Sequence, residues 1–175
     1  MAEAGIFRAD ERVELLDGVV IGVPPPSPPH SDATDRLGEI FHERFRARAR
    51  IGVQRPVRLD DLSQPEPDLV LVRRRAEGYG DRHPGPGDVL LVVEVALSSL
   101  RHDRGTKLRA YARSGIAEVW IVDVVQRRVE VYTEPRDGSY ALVRIATRGD
   151  TIAPAAFPGD AIPVASFVPP APPGG

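Results

Sequence analysis

A chain of 175 residues, 42% apolar and 27% charged, is sized for one globular domain that buries roughly 70% of the surface its unfolded form exposes. Its formal net charge of −2 argues against a protein that coats DNA through global basicity, so phosphate contact has to come from a local patch or a bound cation. The lack of cysteine excludes disulfides and thiolate metal sites.

The opening residues, MAEAGIFRADERVE, carry acids and no apolar core of signal-peptide length. The longest apolar stretch, Val89 to Leu97, is interrupted by Glu94 and is too short to span a bilayer, so the expectation is a cytoplasmic protein with no membrane partner. The chain holds 22 arginines and one lysine, Lys107. Where arginine serves for every generic positive charge, a lone lysine points to a need for a compact, titratable ammonium.

In chain order, Arg12 to Val23 reads as a hairpin turned at Asp17-Gly18. A proline-rich loop, Pro24 to Pro29, ends it. Ala33, Leu37, Ile40, Phe41 and Phe45 have helical period, which predicts a helix from an N-cap at Ser31 to about Arg50. Strands are predicted at Gly52–Leu59 and Asp68–Val72, then a charged, glycine-rich loop from Arg73 to Gly87. The run Val89–Val95 is apolar on both parities, the mark of a strand covered on both faces. Asp103 is read as the N-cap of a helix over Arg104–Ser114, with Gly115 just past its end. Strands follow at Glu118–Val124, Arg128–Thr133 and Tyr140–Ile145, with turns at Val125-Gln126 and Asp137-Gly138. Residues 1–168 are expected to form a single domain and the Pro/Gly-rich residues 169–175 a disordered tail.

Glu94 is the main anomaly, because a carboxylate in a doubly covered strand needs a metal, a cation or hydrogen bonds to offset its desolvation. A salt bridge to an arginine is the plain alternative. Asp68, at a loop-to-strand junction, is unremarkable alone, but with Glu94 it makes a pair of strand-end carboxylates suited to a hard cation such as Mg²⁺. Lys107 lies one helical turn after Asp103 and one before Tyr111, so the three share a face. That face either looks onto Glu94 and a scissile phosphate or is an ordinary solvated helix face. Glu14, in the alternating strand RVELL, and His30, beside the first helix, remain open between structural and site roles. Arg44, Arg46, Arg48 and Arg50 are read as solvated helix surface, and Arg73 to Arg75 as a charged loop end or a DNA contact. No phosphate-binding glycine loop, GxSxG or HExxH occurs.

The stretch VEVALSSLRHDRGTKLRAYARSGIAEVWIVDV, with VELLDG, PPSPPH, PEPDLVLV and FPGDAIPV, resembles the Uma family of restriction endonucleases over nearly the whole chain. The resemblance implies an α/β fold of the restriction-endonuclease-like, PD-(D/E)XK class: a mixed β-sheet flanked by helices, with an N-terminal hairpin. It also implies Asp68 and Glu94 as metal ligands. The superfamily's usual lysine would fall at Ala96, and the family pattern places it instead on the following helix, where Lys107 matches. Glu14 and His30 match other recurrent polar positions. Leu97 departs from the pattern, since related sequences often carry a polar residue there.

The resulting expectation is a Mg²⁺-dependent DNA endonuclease, with Mn²⁺ as a substitute ion. Asp68, Glu94 and the Val95 carbonyl hold the metal, Lys107 and Glu14 assist catalysis, and His30, Asp103 and Tyr111 contact substrate. A homodimer would let two sites address two strands. The rival readings are a nuclease-fold binding or scaffold protein with weak or no cleavage, and a metal-dependent hydrolase of smaller phosphoesters.

Overall fold

The structure, a computed structural model, describes residues 12–97, 99–100 and 103–170. The segments β1 (Val13–Leu16) and β2 (Val19–Gly22) form the expected N-terminal hairpin. Asp17 and Gly18 both have positive φ (51° and 77°), the type I′ turn that matches the strands' twist. Alternation in β1 turns Glu14 and Leu16 inward.

Helix α1 spans Pro28–Phe45, so its start lies inside the segment read as a proline loop. Prolines are accommodated in a first turn, whose N–H groups have no intrahelical acceptor, and Ser27 rather than Ser31 precedes the helix. The helix also stops before Arg50. Ala49–Val53 is instead the edge strand β3, paired with β4 (Leu69–Arg73), and the residues to Leu59 are irregular rather than strand.

Strand β5 (Val89–Ala96) pairs antiparallel with β4 and parallel with β6 (Glu118–Asp123). The antiparallel strands β7 (Arg128–Arg136) and β8 (Ser139–Thr147) complete a six-stranded sheet of order β3-β4-β5-β6-β7-β8. The Asp137-Gly138 turn again has two positive φ values. A two-residue pair, β9 (Thr151–Ile152) with β10 (Ile162–Pro163), was not anticipated. Within the expected tail, residues 171–175 lie outside the described residues.

Two cores sandwich the sheet. On one face Ala33, Leu37, Phe41 and Phe45 of α1 pack on Val93, Val95 and Trp120. The other face joins Val70, Val92, Val119 and Ile121 to Leu16 of the hairpin and to Ala110 and Tyr111 of helix α2 (Leu108–Arg113). Val92, Glu94 and Ala96 share this second face by strand alternation, so Glu94 lies beneath the hairpin and α2. Among the described residues, no helix is long and apolar enough to cross a membrane.

Candidate active site

The expected N-cap at Asp103 is replaced by a different local structure. Leu100 is already helical, Asp103 N–H donates to Ser99 O at 2.9 Å, and Asp103–Lys107 form a π-helical turn leading into α2. Such wide turns occur mostly as single insertions in helices, often at functional sites. Arg104, within the turn, fastens it to β7: its Nε donates to Glu130 Oε2 at 2.8 Å and its NH2 donates to Glu130 Oε1. Tyr132 Oη donates to the same carboxylate at 2.7 Å.

With the turn held there, Lys107 faces the sheet and is 6% exposed, so it is not a solvated helix charge. Its Nζ donates to Glu14 Oε1 at 2.9 Å and to Glu94 Oε2 at 3.2 Å. Tyr111 Oη donates to Glu94 Oε1 at 2.6 Å. Tyr111 is fully buried behind Glu94 and is not among the residues that line the cleft, so it positions a carboxylate rather than meeting solvent. Glu14 Oε1 also accepts from Glu66 N–H at 3.1 Å.

On the neighbouring strand, Asp68 Oδ2 accepts the Val95 N–H at 2.8 Å and lies 3.1 Å from His30 Nε2. These bonds tie the start of β4 to β5 and to α1. His30 Nδ1 is buried and has no hydrogen-bond partner among the described residues. Glu14, His30, Asp68, Glu94, Val95, Asp103 and Lys107 thus line one cleft of about 210 Å³. Sequence reasoning missed Arg12, Gln54, Glu66 and Ser99, which line it too. Glu66 had a signal, standing two residues before Asp68 in PEPD; Ser99, whose Oγ donates to Asp103 Oδ2 at 2.6 Å, had none. The Arg73–Arg75 run is occupied locally, with Arg73 on Gly87 O, Arg74 on Arg46 O and Arg75 on Glu77 and Asp81.

The electrostatics follow from crowding. Burial raises the Glu94 carboxyl well above its ordinary value; Lys107 pulls it down, and Asp103, Asp68 and Glu14 push it further up. Burial alone would lower the Lys107 ammonium, but Glu94, Glu14 and Asp103 outweigh that and hold it above its ordinary value. Lys107 therefore keeps its positive charge among these acids. Among the described residues no three His, Asp or Glu side chains could enclose a metal ion by themselves.

Tyr111→Phe removes one of the two donors to Glu94 among the described residues and leaves a buried oxygen short of a partner. We expect a loss of about 1–3 kcal/mol at neutral pH, read from urea denaturation. An unchanged midpoint would show that the phenol does not anchor Glu94.

Among solved structures, the chain is similar to a crystal structure of a putative nuclease belonging to DUF820 from Anabaena variabilis, at 13% identity and a TM-score of 0.73, covering 95% of this chain and 94% of that one. At that identity the likeness establishes a shared fold. No curated protein matches the chain. The family model for Uma2, described as "Putative restriction endonuclease", matches residues 2–165. With nearly its whole length matched, the chain belongs to the Uma2 family.

Proposed function

We propose that this protein is a Mg²⁺-dependent DNA endonuclease, with Asp68, Glu94 and the Val95 carbonyl as the protein's ligands to the ion. The observation that carries the reading is the chain's single lysine, buried between Glu14 and Glu94 at the edge of an open cleft that also holds Asp68. When bound, the ion supplies Lewis-acid polarisation of the phosphoryl group and a lowered pKa for an attacking water.

The chain's own groups do the rest. Lys107, held charged, donates toward the negative charge that builds on the phosphoryl oxygens, a fixed donor needing no reorganisation. Glu14 holds Lys107, and Tyr111 holds Glu94. His30 and the Val95 N–H fix the Asp68 rotamer, which keeps its carboxylate beside Glu94. Asp103 and His30 border the space where a nucleotide would lie.

An acid-rich cleft in a chain of net charge −2 favours one second reading, a nuclease-fold protein that binds DNA without efficient hydrolysis. Supercoiled plasmid incubated with Mg²⁺, with Mn²⁺ and with EDTA decides between them. We expect nicking with either metal, none in EDTA, and a loss of at least about 100-fold in Asp68→Asn. Binding of the plasmid with no metal-dependent nicking would leave the second reading.

A further inference from the structure

A second pocket, of about 290 Å³, is lined by residues other than those of the cleft. Its floor is apolar, formed by Val70 and Val72 of β4 beside Gly52 of β3, and its walls are the irregular segment after β3 and the loop around Tyr79. Arg58 N–H joins the two walls by donating to Pro84 O at 2.9 Å. Gly52 is fitted to this floor: a Cβ there would stand 2.8 Å from Val70 Cγ1 and 3.3 Å from the Arg55 side chain.

The charge of this pocket is the reverse of the cleft's. Its ionisable lining is Arg50, Arg55, Arg82, His83 and Tyr79, and no aspartate or glutamate is among the lining residues. Arg82 is neutralised from outside by Asp88, at 2.5 Å. Arg50 and Arg55, both exposed, have no ion pair or side-chain hydrogen bond among the described residues, whereas many of the chain's other arginines are paired with acids. Two uncommitted guanidiniums over an apolar floor complement an anionic group that carries a flat or apolar body.

The position says which one. Gln54 lines the cleft and its chain neighbour Arg55 lines the pocket, so the segment after β3 borders both. Gly52, Val70 and Val92 are register partners across β3, β4 and β5, and Val92 shares a face with Glu94. Two strands across and two residues along place Gly52 about 12 Å from Glu94. That span is a few nucleotides of a duplex, whose phosphates recur at about 3.4 Å of axis per strand.

We propose that this pocket is a nucleotide subsite: Arg50 and Arg55 hold a phosphate of the strand flanking the scissile bond, and the apolar floor receives the sugar or base attached to it. The proposal rests on the nuclease reading of the cleft. Bidentate guanidinium–phosphate contacts suit this role, and the lack of a nearby competing acid in the lining leaves both arginines available.

The test uses the full chain in EDTA. A fluorescent DNA duplex is titrated by anisotropy over a range of salt, with wild type, Arg50→Ala/Arg55→Ala and Arg50→Lys/Arg55→Lys. The alanine pair is expected to weaken binding at least tenfold and to reduce the slope of log K against log salt by about two, while the lysine pair retains the slope. Independently of any variant, dAMP added to the wild type is expected to shift the amide resonances of Gly52 and Tyr79. Unchanged affinity and slope in the alanine pair, or dAMP shifts confined to other regions, overturns the subsite. So does poly-glutamate binding as tightly as the duplex at matched salt, which would mark a site for acidic chains in general. The two readings fail separately. Weakened binding in the alanine pair with no cleavage by wild type keeps the subsite and removes the nuclease. Normal cleavage with unchanged binding does the opposite.

Discussion

Lys107→Met is expected to destabilise the protein by about 3–5 kcal/mol and to remove metal-dependent cleavage, because it strands Glu14 and Glu94 as buried acids without their shared cation. The ammonium makes 2.9 and 3.2 Å bonds to these two carboxylates, a position matched by a compact donor on a flexible stem. Lys107→Arg separates charge from shape. It preserves the positive charge, so its stability loss should be well below that of methionine, yet its wider planar fork cannot occupy the same point. Cleavage should still fall at least about 100-fold, the usual cost of losing one donor aimed at developing charge. Melting curves beside plasmid nicking at saturating Mg²⁺ give both readouts. Wild-type rates in the arginine variant would take Lys107 out of the chemistry and leave it as a structural counter-ion.

Glu94→Gln should also cost cleavage at least about 100-fold, since an amide is a poor substitute for a carboxylate on a hard cation. Its effect on the metal-free protein runs the other way. The Glu94 carboxyl is raised well above its ordinary value of 4.5, so between 4.5 and its folded value the native state holds a proton that the unfolded state has released. Stability of the wild type therefore falls as pH rises through that window. Lys107, also raised, titrates only above the ordinary lysine value of 10.5 and does not contribute there. Glutamine never ionises, so in EDTA its melting temperature should stay flat over this window and match or exceed that of the wild type at its upper end. The one opposing effect is the amide NH₂ facing Lys107. A variant less stable than wild type across the whole range would show that Glu94 serves chiefly as the salt-bridge partner of Lys107.

The parts of this fold legible in the sequence were those written in local chemistry. The two Asp-Gly turns and the doubly apolar β5 follow from short-range rules, whereas the alternation of RVELL leaves open which way Glu14 points, and the structure turns it inward. The boundaries that differed were set by distant partners. Arg46 to Arg50 are compatible with helix by composition, but pairing of Ala49–Val53 with β4 draws the chain into the sheet. Pro28 and Pro29 fall in the segment whose composition predicts a proline-rich loop, whereas a first helical turn tolerates them. The π-helical turn was illegible because Asp103 before a helical pattern looks the same whether it caps the helix or lies within it. For the site, residue types pointed to Asp68, Glu94 and Lys107, but the contacts Lys107–Glu14 and Asp68–His30 depend on the hairpin and α1 crossing the sheet. The second pocket was hidden for the same reason: Arg50 and Arg55 meet the Tyr79 loop only in three dimensions.

The cleft is assembled from segments far apart along the chain: Lys107 and Glu14 are separated by 93 positions, His30 and Asp68 by 38, Val95 and Asp68 by 27. The hairpins β1–β2 and β7–β8 close over a few residues, and loop-closure entropy lets them form early. The parallel pairing of β5 with β6 has to wait for the crossover that carries Lys107. The cleft therefore cannot exist until these distant segments meet. A chain still emerging from the ribosome, or one caught partly folded, carries strands and hairpins but no assembled cleft.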